Sequence, residues 1–407
     1  MSQISQTLLD YIEKQGFEKN IHPQTLSRYS KKFLEKLLKQ ISHAYLSWDP
    51  TLVSIRFSNI QKNNSAFPKG SDYSFSPKEI RDEIENLDKV CCIASFEIGG
   101  RIFEVAIVAP QKTYTREYFT QCIQRIFIWL SVCSLHAREK CSRKMNIYVY
   151  FTNLKKTLPN HSETYLTEIN VNSAFTTSCK QVTEIHLFRH EEWFKVLIHE
   201  TFHNMGLDFS EFNQENTKQA ILDIFHVNSD VRLFETYCEL WAEVLNILFI
   251  VFINHKKIGD VENLEQIIKH AESMIIKEQL FSMFQCAKVL YYFGLEYEDL
   301  YKNNDARELA RYKEKTQVLS YYILKSLLFF HCDDFIEWCI KNNTDETLDF
   351  KKNQVTIQSY CQLVKARHNN YEFVRGIDLM MKKFSTMTAD ELNAPISRTL
   401  RMTAYEL

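Results

Sequence analysis

The chain has 407 residues, 45% of them hydrophobic and 25% charged, and its formal net charge is −2. That length buries a large core and accommodates two or three domains, and the composition is that of a globular protein rather than a disordered or fibrous one. A near-neutral balance without a basic or acidic tail argues against a nucleic-acid partner, which would call for a strongly basic face.

The N-terminus, MSQISQTLLDYIEKQGFEKN, lacks a basic stretch followed by an apolar one, so no signal peptide is expected. Residues 1–60 read as an N-terminal helical region: Leu26, Tyr29, Phe33, Leu37 and Ile41 recur at three- and four-residue steps with lysines between them. The stretch 61–85, polar at its start and holding Pro and Gly, reads as a linker or long loop. An α/β region over 86–210 follows. KVCCIASFEI and RIFEVAIVAP flank Gly99-Gly100, a two-residue hairpin signal between β-branched runs. A long helix with Thr115 as its N-cap comes next, then the strand MNIYVYF, and EINVNSAF and EIHLF are two further short strand candidates.

Past Gly206 the pattern changes. Long apolar-periodic segments over 231–254, 261–296, 305–331 and 351–367 predict a large all-helical C-terminal domain, 211–407. The most apolar run, Val244 to Ile253, is too short to span a bilayer and reads as a buried core helix, so no membrane partner is expected. Eleven cysteines, scattered and without a CxxC pair, read as reduced thiols packed as small hydrophobes in a cytoplasmic protein. The fold class expected is α+β.

The chemistry concentrates in EEWFKVLIHETFHNMGLDFS, residues 191–210. Trp193, Val196 and Leu197 make an apolar stripe, and Glu191 and Glu192 fall in the expected first turn, where the helix dipole favours anions. His199 and His203 are four apart and so project from one helical face. That spacing lets both imidazoles reach one Zn²⁺. Glu200, directly after the first histidine, swings its carboxylate to the open side of the metal, where it can act as general base on a water. Gly206 lets the helix end and turn.

Zinc needs a third protein ligand. The metzincin extension HExxHxxGxxH fails, because its ligand position is Phe209; Asp208, one residue out of register, stays a weak candidate. The other solution is a glutamate from a second helix. RLFETYCELWAEVLNI carries Glu235, Glu239 and Glu243 at four-residue steps. Glu243, near the apolar run, reads as part of a solvated face. Glu235 is the expected third ligand and Glu239 the group that accepts a hydrogen bond from a ligand histidine; the reverse assignment stays open.

HETFH with a downstream ETYCE helix resembles the gluzincin metallopeptidases, over about residues 90–300. The resemblance implies a zincin-like mixed sheet above the active-site helix, a helical subdomain below, a cleft between them, and a glutamate third ligand. More narrowly, NVNSAFT, HEEWFKVLIHETFHNMGLDFS and ETYCELWAE are similar to uncharacterised metallopeptidase-like proteins encoded by large eukaryotic DNA viruses, which implies host cytoplasm or the virion as the location. The gap before the glutamate is longer than in better-known gluzincins. The expected activity is zinc-dependent hydrolysis of a protein or peptide substrate. The rival is a zincin-fold interaction or structural protein with a structural zinc, the helical C-terminal half being its partner surface.

Two further features follow from that expectation. An edge strand should border the cleft and pair with substrate, either in Asn170 to Phe175 or in Glu184 to Phe188. A donor to the developing oxyanion is also needed, for which Tyr237, Tyr291, Tyr292, His331, His368 and Tyr371 are candidates. His186 and His190 read as structural.

Overall fold

Six strands form one mixed sheet in the computed structural model, which describes residues 3–64, 66–160, 164–257, 259, 263–302 and 305–407. Strands β1 (Ser54–Ile60), β2 (Lys89–Ile98) and β3 (Arg101–Pro110) make an antiparallel meander. Gly99 and Gly100, at φ 55° and 73°, supply the two left-handed residues that a tight hairpin between right-twisted strands requires. β4 (Lys144–Tyr150) lies parallel to β3, and β6 (Val182–Leu187) lies parallel to β4. β5 (Ala174–Thr176) pairs antiparallel with β6 and closes the order β1-β2-β3-β4-β6-β5. β5 is therefore an edge and β6 is internal, which decides between the two candidate edge segments.

Among the helices are α1 (Gln3–Gln15), α2 (Arg28–Leu46), α3 (Lys78–Glu85), α4 (Arg116–His136), α5 (Glu168–Val171), α6 (Trp193–Asn204), α7 (Glu215–Leu222), α8 (Leu233–Lys257) and α9 (Leu264–Phe293), with further helices to Arg398. α4 is the crossover between the parallel strands β3 and β4, and Thr115 caps it by accepting from the Tyr118 amide. It is tied to α6 by a hydrogen bond from Trp129 Nε1 to Thr201 Oγ1, 2.7 Å. α6 packs against β5 and β6 on one side and α8 on the other. α8 has 25 residues and by length and composition alone could cross a membrane, yet 94% of its most apolar window is buried within the protein. It is the central core helix, longer than the ten-residue run that marks it in the sequence.

The α+β class with a mixed sheet agrees with expectation; several local readings do not. Residues 54–60 are a strand, not part of a helical region, because SIRFSNI pairs along its whole length with β2. The stretch 61–85 is more than a loop: Ile80 and Ile84, four apart, bury one face of α3. EINV forms the short helix α5, closed at its start by Thr167 and Asn170 in a capping box, and only Ala174–Thr176 continues as a strand. One cluster of buried apolar side chains runs from Leu8 to Tyr405, so the terminal helices and the sheet share a core.

The reduced-thiol reading needs one correction. Cys141, before β4, and Cys179, in the turn between β5 and β6, form a disulfide across neighbouring strand ends, with Cα atoms 4.9 Å apart. Their 38-residue separation hides a contact that only strand pairing creates. The other nine cysteines are free and buried, as small hydrophobes should be.

Candidate metal centre

All twelve residues of α6 are buried. The helix begins after Glu192, which sits at φ 58°. Glu192 is thus outside the first turn, a departure from the sequence reading, and its carboxylate has a different task. It pairs with Lys156 and accepts hydrogen bonds from the amides of Met402 and Thr403, both 2.7 Å. At the other end Gly206, at φ 65°, closes a Schellman motif: the Leu207 amide donates to Phe202 O (2.8 Å) and the Gly206 amide to His203 O (3.1 Å). A Cβ at Gly206 would lie 2.8 Å from Cys141 Sγ, so both backbone and space demand glycine.

The one-turn spacing of α6 brings His199 Nε2 and His203 Nε2 to within 3.3 Å of each other. Glu235, in the first turn of α8, completes a triangle: its Oε2 lies 3.0 Å from His199 Nε2 and 3.5 Å from His203 Nε2. Ligand atoms bound tetrahedrally at about 2.0–2.1 Å from one ion are separated by about 3.3–3.4 Å. The three sides, 3.0, 3.3 and 3.5 Å, bracket that figure, and the three residues could hold a metal ion. The remaining ring nitrogens face carboxylates. Glu239 Oε2 lies 2.9 Å from His199 Nδ1, and Asp208 Oδ2 lies 2.5 Å from His203 Nδ1. Such partners set which nitrogen carries the proton and how the ring is aimed.

Asp208 thus orients His203. A second group that could hold an ion, His203 with Asp208 and Cys238, uses the same Nδ1. Its 2.5 Å side is a hydrogen-bond length, too short for two atoms on one ion, and burial pushes the Cys238 thiol well up, against the pull of His203. The first group fits an ion better.

Electrostatics follow from burial. Desolvation pulls the His199 imidazole down, but the bonds to Glu235 and Glu239 outweigh it and hold it at about 9. Burial pushes Glu235 and Glu239 up; the charges of His203 and His199 on the first, and of Lys195 and His199 on the second, overcome it and keep both well below the usual carboxylate range. Glu200 differs. Burial raises its carboxyl above the ordinary value, with the two histidines opposing.

Behind this site lies a buried chain of charge that the sequence reading missed. Lys195, one turn before His199, pairs with Glu239 and stands 3.9 Å from Glu243; Lys325 reaches Glu243 at 3.2 Å. Glu243 is fully buried, not part of a solvated face. Burial pushes the Glu243 carboxyl up, with Lys325 and Lys195 opposing, and removing either lysine would cost about 3–5 kcal/mol by stranding its partner. A lysine within the apolar stretch WFKVLI was the available signal.

Also missed was Tyr321. It lies in a π-helical stretch, Leu319–Leu324, and its hydroxyl donates to Glu235 Oε2 at 3.0 Å. None of the expected oxyanion donors stands here. Tyr237 donates to Leu348 O in the core, Tyr292 donates to Thr164 O, Tyr291 and Tyr371 are exposed, Tyr297 donates to His368 O, and His331 packs against Phe330. His186 bonds Glu184 and His190 bonds Tyr118, as structural histidines.

Two hollows meet at Glu200. An open cleft of about 360 Å³ is lined by Phe175, Thr176, His203, Phe234 and Glu235. A smaller recess of about 40 Å³ lies beside His199. No family model, curated protein or solved structure matches the chain.

Proposed function

We propose that the chain is a zinc-dependent peptidase of the gluzincin type, with His199, His203 and Glu235 as zinc ligands and Glu200 as general base. The observation that carries this reading is the triangle of ligand atoms at tetrahedral spacing with a separate, proton-accepting carboxylate on the next residue of the same helix. A structural metal has no use for such a base. The open cleft and the edge strand β5 beside it offer an extended peptide a groove with backbone partners.

A zinc ion held there would supply Lewis acidity, acidifying a water and polarising the substrate carbonyl. The chain's own residues do the rest. Glu200 takes the proton as the water oxygen attacks the carbonyl carbon, then gives it to the leaving amine as the C–N bond breaks. A carboxyl raised by burial is suited to holding that proton between the two steps. Tyr321 O–H is placed to turn from Glu235 to the carbonyl oxygen as charge builds on it. Glu239 and Asp208 hold the rings of His199 and His203 in aim.

Protein purified without chelators is expected to carry about one zinc per chain. Stripping with 1,10-phenanthroline should abolish cleavage of a mixed peptide library, and zinc should restore it. A metal-free preparation that gains no activity with any divalent ion overturns the proposal. For Tyr321→Phe, kcat should fall about 100-fold with zinc content unchanged, the loss typical of one oxyanion donor. A fall in zinc affinity without a fall in kcat would make Tyr321 merely a support for Glu235.

A further inference from the structure

β5, which walls the open cleft, has three residues and pairs on one side only. So short an edge strand holds little by itself, and its place depends on how the turn after it is anchored. Phe175 and Thr176 of the strand and Ser178 of the turn line the cleft. The Ser142 amide donates to Lys180 O at 2.6 Å, the Lys144 amide to Gln181 O at 3.0 Å, and the Asn204 side chain to Thr177 O. The Cys141–Cys179 disulfide adds a covalent anchor. It lies against the glycine that ends α6: a Cβ at Gly206 would come 2.8 Å from Cys141 Sγ and 3.5 Å from Cys179 Sγ. One bond thus joins the approach to β4, the turn beside the cleft and the end of the helix that carries His199 and His203.

The two halves of the bond are not alike. Cys141 is fully buried, whereas Cys179 is partly exposed between the exposed Ser178 and Lys180. A thiol reagent from solvent therefore meets Cys179 first. The other nine cysteines are free and buried. One disulfide in a chain of otherwise reduced thiols fits redox sensing better than a disulfide scaffold. Its cleavage has a mechanical consequence. Bonded sulfurs sit about 2.0 Å apart and unbonded heavy atoms about 3.5–4.0 Å. Cys141 is packed in the interior against the end of α6, so Cys179 must give way by about 1.5–2 Å. It takes the turn with it, and with the turn the end of β5.

Building on the peptidase reading, we propose that the Cys141–Cys179 disulfide is a redox switch on the peptide-binding wall. Oxidised, it holds β5 where an extended substrate pairs with it. Reduced by a dithiol, it frees the turn and weakens substrate binding. The step is a thiol–disulfide exchange. A thiolate of the dithiol attacks Cys179 Sγ, the S–S bond breaks, and its electron pair goes to Cys141 Sγ, which takes up a proton. The second thiolate of the dithiol then attacks the reductant's own sulfur in the mixed disulfide, and Cys179 leaves as a thiolate and is protonated. The chain gains two electrons and two protons, and the dithiol departs as a disulfide. The metal ligands stand on α6 and α8, which pack directly on each other, so the zinc stays bound.

The test compares the zinc-loaded chain, oxidised and after dithiothreitol treatment and desalting, with zinc measured on both. Amide hydrogen exchange over residues 172–182 reads the wall without turnover. It should run about 10-fold faster in the reduced chain, with exchange in α6 unchanged. The KM for a cleaved peptide should rise about 5–10-fold on reduction, with kcat within about 2-fold. Cys179→Ser should show the raised KM and fast exchange from the start and ignore the reductant. If Cys179→Ser does not fold, return of slow exchange on reoxidation with oxidised glutathione carries the same readout. A chain that lacks the disulfide under non-reducing conditions, or an exchange or KM that reduction does not move, overturns the switch and leaves the peptidase reading intact. Loss of zinc in step with reduction also overturns it, because the bond would then support the metal centre rather than the wall. Faster exchange on reduction with no hydrolysis in either state keeps the switch and sinks the peptidase.

Discussion

Glu200→Gln is expected to lower kcat at least about 10³-fold while leaving zinc stoichiometry and the fold unchanged. Glutamine keeps the shape of the side chain and can occupy the same space between the two hollows. It cannot accept the proton of the attacking water or return it to the leaving amine. The fold should tolerate the change because burial already disfavours the charge on Glu200. Turnover of a cleaved peptide, metal analysis and a melting curve on the same preparation decide the matter. Turnover within about 10-fold of the native chain would remove Glu200 from catalysis. If His203→Ala then still lost the zinc and destabilised the chain, the structural-zinc reading would prevail.

Glu235→Gln should lose zinc almost entirely, and Glu239→Gln should weaken it about 10–100-fold. The difference follows from their places on α8. Glu235 Oε2 lies among the two Nε2 atoms, whereas Glu239 faces the far side of the His199 ring and Lys195. The two variants differ in a second way. Glu239→Gln strands the buried Lys195 ammonium and should cost about 3–5 kcal/mol in denaturant unfolding. Glu235→Gln leaves His199 and His203 without that carboxylate, but an imidazole sheds its proton far more readily than a buried ammonium, so its cost to the metal-free protein should be smaller. Chelator competition and unfolding curves check both. The opposite ranking for zinc would exchange the two assignments.

How much of this was legible depends on the distance over which each contact acts. His199, Glu200 and His203 stand where the motif put them, and the stripe of Glu235 and Glu239 does face them. Asp208, a weak ligand candidate one residue out of register, turned out to orient the histidine five residues before it. Glu243 misled, because a carboxylate beside an apolar run looks solvated until Lys195 and Lys325 are brought to it. Tyr321 could not be chosen among 20 tyrosines, since the π-helical stretch that presents it leaves no pattern in the local sequence.

The sequence by itself determined whatever repeats within a helical turn. Four-residue spacing puts two imidazoles on one face and two carboxylates on another, and a glycine after the last turn ends the helix. Only the tertiary structure decided which carboxylate meets the imidazoles, which strand forms the edge, and that Met402 lines the recess beside His199. Those outcomes depend on how α6 and α8 pack and on the order of strands in the sheet. Such packing is set by shape and charge across segments distant in the chain, and no local period records it.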